Sequence, residues 1–182
     1  MRIIRELSEF HEGKSAVAIG KFDGVHRGHR KLIGELVRAS RECGLVSVIL
    51  TFDPPPAVLF GAADAEELIP AGKQQEIFAQ LGVDVLVEYP FTRETAATPP
   101  DVFVNDVLLR DLHASLIVCG SDVSFGDGGR GDLQLLQSLT APHACGVLVV
   151  DKVLADGTPI SSTRIRQAIR EGHEAEARAL LE

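Results

Sequence analysis

"SAVAIGKFDGVHRGHRKLI", residues 15–33, joins an apolar run to an amphipathic one through a single tight turn. The run Ser15–Ile19 is made of small and branched residues and reads as a buried strand. Beyond the turn, Leu32, Ile33, Leu36 and Val37 recur at helical spacing with charges between them, and Gly44 supplies a stop. The turn itself collects Gly20, Gly24, Gly28, Asp23, His26 and His29. A strand that hands over to a helix through glycines and imidazoles predicts a parallel sheet with a ligand site at its carboxyl edge.

The remaining chain repeats the alternation. "LVSVILTF" reads as a second strand, cut off by Pro54, Pro55 and Pro56. "AGKQQEIFAQLG" predicts a helix and "VDVLVEY" a third strand. "PPDVFVNDVLLRDL" predicts a helix with proline in its first turn, and "SLIVCG" a fourth strand. "GDLQLLQSL" predicts a short helix and "CGVLVVDKV" a fifth strand. "SSTRIRQAIREG" and "HEAEARALLE" close the chain as helices. The expected fold is α/β, a Rossmann-like, doubly wound, mainly parallel five-stranded sheet with helices on both faces. It forms one domain over 1–182. Phe60–Pro70 is expected to be a flap or a short irregular excursion.

A length of 182 residues suffices for one full core, and 45% apolar with 24% charged residues describes a globular chain. The net charge of −8 argues against a nucleic-acid partner. No apolar segment suits a signal peptide or a membrane span. Cys119 and Cys145 lie in apolar runs and read as buried thiols, and three unpaired cysteines fit a reducing cytoplasm.

The turn has a chemistry of its own. Glycines let a ligand approach the backbone closely. The following helix start offers free amides and a partial positive charge, which favours an anion. Imidazoles donate hydrogen bonds to phosphate oxygens and gain charge beside them. No cysteine or carboxylate set completes a zinc site around His26 and His29, so no metal ligand is assigned. "ISSTRIR", Ile160–Arg166, opens the penultimate helix. Ser161 or Ser162 suits an N-cap. Two hydroxyls plus Arg164 and Arg166 exceed what a cap needs, and together they suit a triphosphate tail.

"GKFDGVHRGH" resembles the H-x-G-H signature of the nucleotidyltransferase superfamily, and "ISSTRIR" its second signature. Within it, "TFDPPP", "FVNDVLLRDL", "VCGSDVSFG", "RGDLQLL" and "EARALL" resemble, in order, the FMN adenylyltransferase module of bacterial FAD synthetases. That resemblance implies AMP transfer from ATP to FMN, with FAD and pyrophosphate as products, by in-line attack and without a covalent intermediate. It implies catalytic roles for His26, His29, Ser162 and Arg164, with Arg164 ahead of Arg166. ATP contacts fall to Gly20, Phe22, Asp23, Gly28, Ser161, Thr163 and Arg166. Flavin contacts fall to Phe52, Pro54, Asp122, Phe125 and Gly126. Mg²⁺ accompanies the ATP, held by nucleotide and water. The chain stops where that module ends, so no riboflavin kinase domain is expected.

Several residues depart from the family pattern. Pro55 replaces a histidine, Val123 an aromatic residue and Gly129 an arginine. Glu67 and Gln74 stand where arginine and lysine are common. These leave two alternatives open: transfer to another phosphorylated acceptor (a flavin analogue, pantetheine phosphate or nicotinamide mononucleotide), or a non-catalytic nucleotide- or flavin-binding paralogue.

Overall fold

A computed structural model describes residues 1–61 and 67–181. Residues 62–66, within the stretch expected as a flap, lie outside the described residues. In chain order the elements are β1 (Arg2–Ile4), β2 (Ser15–Ile19), α1 (Arg27–Cys43), β3 (Val46–Asp53), α2 (Pro56–Leu59), α3 (Ala71–Gln80), β4 (Val85–Pro90) and α4 (Arg93–Ala96). They continue with α5 (Pro100–Val102), β5 (Ala114–Gly120), α6 (Leu133–Thr140), β6 (Gly146–Val150), β7 (Leu154–Ala155), β8 (Thr158–Pro159), α7 (Ser162–Arg170) and α8 (Glu174–Leu181).

Six strands form one sheet in the order β1-β4-β3-β2-β5-β6, every neighbouring pair parallel. The expected five strands are all present, and β1 is the correction. It has three residues, of which only Ile4 is buried, so it carries no periodicity to read. Its partner β4 supplies the order, pairing Arg2 with Val85 and Ile4 with Val87. A small antiparallel hairpin, β7 with β8, stands apart before α7.

Alternation along each strand divides the core. Ala16, Ala18, Ile49, Leu86 and Val118 point to the face covered by α1 and α3, where Ile33, Leu36, Ile77 and Phe78 pack. Val17, Ile19, Leu50, Val87 and Ile117 point to the other face, covered by Phe103, Val104, Val107, Leu108 and Leu136. Burial on both sides explains the continuous apolar strands. Phe78 is fully buried, and cutting such a ring to alanine costs about 3–5 kcal/mol. The helix predicted from Pro99 begins at Pro100, but after Val102 it widens into π-type turns over Phe103–Asp111. A third cluster, Ile160, Ile165, Ala168, Ala177 and Leu180, fixes α7 against α8.

The strand order reverses beside β2, since β3 lies on one side and β5 on the other. Ligands of open α/β sheets bind outside the carboxyl ends of strands at such a reversal. Gly20, the first residue after β2, therefore starts the segment that the topology exposes to a ligand.

Candidate active site

Phe22 and Val25 have positive φ, +49° and +40°, in the turn between β2 and α1. Bulky residues rarely adopt that conformation, and it clusters where function fixes the backbone. Here the strain turns the Phe22 ring inward. The ring is 2% exposed, edge-on to His29 at 5.3 Å and to Phe78 at 5.8 Å. Gly20 allows this, because a Cβ there would sit 3.1 Å from the Phe22 ring.

His26 is the N-cap of α1. Its Nδ1 accepts from the His29 backbone N–H at 3.4 Å. An accepting Nδ1 carries no proton, so in the neutral ring the proton sits on Nε2 and can be donated. The His29 ring stacks on His26 with centroids 3.7 Å apart and planes 18° apart. Gly28 makes room, since a Cβ there would lie 3.1 Å from His26 Cε1. The spacing of the two histidines and the glycine between them thus follow from one stacked geometry. Burial pushes the His26 pKa down to about 4, against a smaller upward pull from Asp23. Burial, and then the neighbouring His26, push His29 down to about 3, with Asp122 pulling upward. Both rings are neutral donors near pH 7.

The second signature faces the first. Ser161 is the N-cap of α7, accepting from Arg164 N–H at 3.2 Å. Ser162 Oγ donates to the Asp23 carbonyl at 3.0 Å. The Asp23 carboxylate pairs with Arg166 and accepts from Leu68 N–H at 2.9 Å. Asp23 is therefore the junction between the α1 turn, α7 and the segment that leads into α3.

Two pockets flank this junction. A cleft of ≈ 270 Å³ on the β5/β6 side is lined by His26, Gly28, His29, Ser161 and Ser162, with Gly120, Asp122 and Lys152 opposite. A pocket of ≈ 250 Å³ on the β3/β4 side is lined by Lys21, Phe52, Asp53, Pro55, Glu67 and Gln74, with Asp23 and Arg166 as its wall towards α7.

Other expected site residues lie elsewhere. Arg164, expected to lead Arg166, turns away from the cleft. It donates to the Ala155 and Thr158 carbonyls at 3.0 and 3.3 Å and to Glu176 at 3.0 Å. Thr163 is exposed beside it, in a shallow hollow outside the cleft. The flavin set divides. Phe52 lines the second pocket, whereas Asp122 lines the cleft, bonded to Lys152 at 2.8 Å. That bond, first among the causes, holds the Asp122 carboxyl below its ordinary range. Phe125 is core, tilted against Phe103 at 6.2 Å, and Gly126 packs on Pro100. Pro54 follows Asp53 through a cis peptide at the end of β3.

Sequence reasoning missed Lys21 and Lys152, the latter two positions beyond β6. Both stand just past carboxyl ends of strands, and that placement is the signal that could have found them. It also missed an aromatic ladder at the rim, Phe52 to Phe91 at 5.2 Å and Phe91 to Phe60 at 6.0 Å. Phe60 is 65% exposed. Among the described residues no group of three or more His, Cys, Asp or Glu side chains could hold a metal ion.

A reversal point in a parallel sheet, an anion-ready helix start and a second helix start across one cleft define a Rossmann-like α/β protein with a cleft suited to an anionic ligand. The FAD synthetase family model matches residues 8–164. A bifunctional riboflavin kinase/FMN adenylyltransferase of Listeria monocytogenes is 37% identical over 178 residues, covering 95% of this chain and 55% of the relative. A FAD synthetase of the same organism is 38% identical over 169 residues, covering 92% of this chain and 68% of the relative. A solved structure titled as a macrolide-efflux protein from Streptococcus pneumoniae superposes with TM-score 0.87 at 27% identity, over 99% of this chain and 60% of that one. Among the described residues no helix is long and apolar enough to cross a membrane. The chain belongs to the FAD synthetase family, and it spans a little over half the length of the bifunctional relative.

Proposed function

We propose that this chain moves AMP from ATP to the phosphate of FMN, giving FAD and pyrophosphate. The observation that carries this reading is the shared cleft: two imidazoles from the start of α1 and two hydroxyls from the start of α7 border one space. A polyphosphate chain needs that convergence of neutral donors and helix-start amides. In one in-line displacement, an acceptor phosphate oxygen bonds to the α-phosphorus while the bond to the bridging oxygen breaks. Pyrophosphate carries away the electron pair.

The chain's own groups supply position and charge. His26 and His29 donate to oxygens around the reacting phosphorus as charge grows there. Ser161 and Ser162 present the α7 start to the departing pyrophosphate. Arg166 is the cation of the second signature that borders the junction, whereas Arg164 braces the β7/β8 hairpin and α8. Mg²⁺ accompanying the nucleotide would screen the phosphate charges, held by nucleotide oxygens and water. The second pocket receives the acceptor, with the Phe52–Phe91–Phe60 ladder offering aromatic edges to a planar ring.

The reading treats 1–182 as one nucleotidyl-transfer unit. Its partners are small molecules and not nucleic acid, consistent with the net charge of −8. The free Cys43, Cys119 and Cys145 suit a cytoplasmic setting.

A second reading, transfer to a different phosphorylated acceptor, is favoured by one observation: Pro55, Glu67 and Gln74 all line the acceptor pocket. The test is pyrophosphate release from ATP with FMN, a flavin analogue, pantetheine phosphate or nicotinamide mononucleotide. FAD formation with FMN alone supports the first reading, and turnover only with another acceptor replaces it. No pyrophosphate with any acceptor leaves a binding protein.

A further inference from the structure

The proposed catalytic turn needs an external hold, because Phe22 and Val25 have positive φ, a conformation that bulky residues keep only where neighbours impose it. One hold is visible on the acceptor side. The Gln74 amide Nε2 donates to the Phe22 carbonyl at 3.0 Å and lies 3.4 Å from the Lys21 carbonyl. Both partners are acceptors, so the amide nitrogen and not its oxygen must face them. Four residues along the same helix, Phe78 packs edge-on against the Phe22 ring. The same ring also meets His29, with centroids 5.3 Å apart and planes 68° apart. Helix α3 thus grips Phe22 twice, by its carbonyl and by its ring, and Phe22 is the surface on which His29 rests.

We infer that Gln74 is a positioning residue: its amide holds the 21–22 backbone so that Phe22 keeps the His29 ring stacked on His26. Gln74 also lines the acceptor pocket, so an alternative role in contacting the acceptor is the competing outcome of the test. The inference rests on the reading of His29 as a phosphate donor, but its geometry is measurable without turnover.

Three variants separate the outcomes. Gln74→Met keeps the size and removes the donor. Gln74→Lys keeps a donor within reach. Gln74→Glu sets a carboxylate against two carbonyls. Steady-state FAD formation from ATP and FMN is read together with the His29 Cε1 proton resonance, which feels the ring current of Phe22. Loss of a positioning hydrogen bond lowers kcat about tenfold for Gln74→Met, with the KM of the acceptor unchanged and the His29 resonance shifted. Gln74→Lys returns kcat to within about threefold and restores the resonance, while Gln74→Glu does neither. A Gln74→Met protein with wild-type kcat and an unmoved resonance overturns the inference. So does a rise in acceptor KM at constant kcat, which assigns Gln74 to the acceptor. If the wild type makes no FAD, the activity reading fails, and the resonance alone still decides whether Gln74 holds the ring. Should Gln74→Met fail to fold, Gln74→Glu gives the decision: wild-type kcat with an unmoved His29 resonance in that variant overturns the inference, and loss of both supports it.

Discussion

The two pockets on either side of Asp23 have nearly equal volume, ≈ 270 and ≈ 250 Å³, yet they are built from different kinds of residue. The cleft towards β5 and β6 is bordered by both signatures, and each residue there fits its neighbour tightly. Gly28 admits the His26 ring, His26 caps His29, and Ser161 caps α7. The pocket towards β3 and β4 holds three of the residues that depart from the family pattern, Pro55, Glu67 and Gln74. Of these, Gln74 has been absorbed into support of the catalytic turn. The contrast teaches that geometry fixed by stacking and capping leaves little room for change. A pocket that only has to accept a ligand tolerates more.

The strongest way to break the comparison is His29→Ala. Removing one preorganised donor to a developing charge lowers turnover on the order of 10²–10³-fold. The midpoint of thermal unfolding should stay close to wild type, because the deleted ring leaves a cleft and not a core. Wild-type turnover in that variant would remove the cleft from the chemistry. Next in size is the contrast between two arginines on one helix. Arg166→Ala should cut turnover by at least about tenfold. Arg164→Ala should leave turnover within about twofold and lower stability by about 1 kcal/mol, through lost bonds to the hairpin and Glu176. Denaturant melts and initial rates of both variants decide this, and equal activity losses would put Arg164 back in the cleft.

Acidity sharpens the comparison further. The folded pKa values of His26 and His29, about 4 and about 3, lie below the ordinary 6.5. Between those values and 6.5 the unfolded chain binds more protons than the folded one. Stability is therefore flat above about 6.5, falls as pH drops below it, and stops falling once both folded rings titrate. Unfolding midpoints across pH 3–8 check this, and His26→Gln with His29→Gln should flatten the slope. Polyphosphate bound in the cleft favours the charged rings, so ATP binding should take up protons in that same window. Calorimetry in buffers of different ionisation enthalpy reads that uptake. The smallest effect belongs to the proposed acceptor pocket. Glu67→Gln removes an exposed carboxylate facing an anionic acceptor and should lower its KM by about two- to fivefold, in keeping with the small worth of exposed charges. An unchanged KM places the acceptor elsewhere.

Much of this was legible in the sequence, and the misses have physical causes. The strand-turn-helix of 15–33 was clear because both flanks carry strong periodicity, and α1 ends at Gly44 with φ +64° as its residue type demands. Strand β1 was missed because three residues set no pattern and its partner lies more than eighty positions away. The widening of the helix after Val102 leaves the apolar spacing nearly unchanged, so nothing in the composition announces it. Ser161 and Ser162 line the same cleft as the histidines, and their place at a helix start is legible because a cap must stand there. The assignment between Arg164 and Arg166 depended on which side of α7 faces Asp23, and that is set by the packing of Ile165 and Ala168 against α8. Phe125 looked available for a ring ligand, yet Phe103 claims it for the core.

Asp23 is bonded to partners 139 and 143 positions further along the chain. Closing loops of that length is entropically slow, and their contacts form only after the intervening strands have paired. During synthesis the histidine turn emerges 139 positions ahead of Ser162 and then waits for α7 to reach it. Nucleotide affinity should consequently appear as one of the final events of folding, which makes binding of the ligand a sensitive report on whether the whole chain has reached its native arrangement.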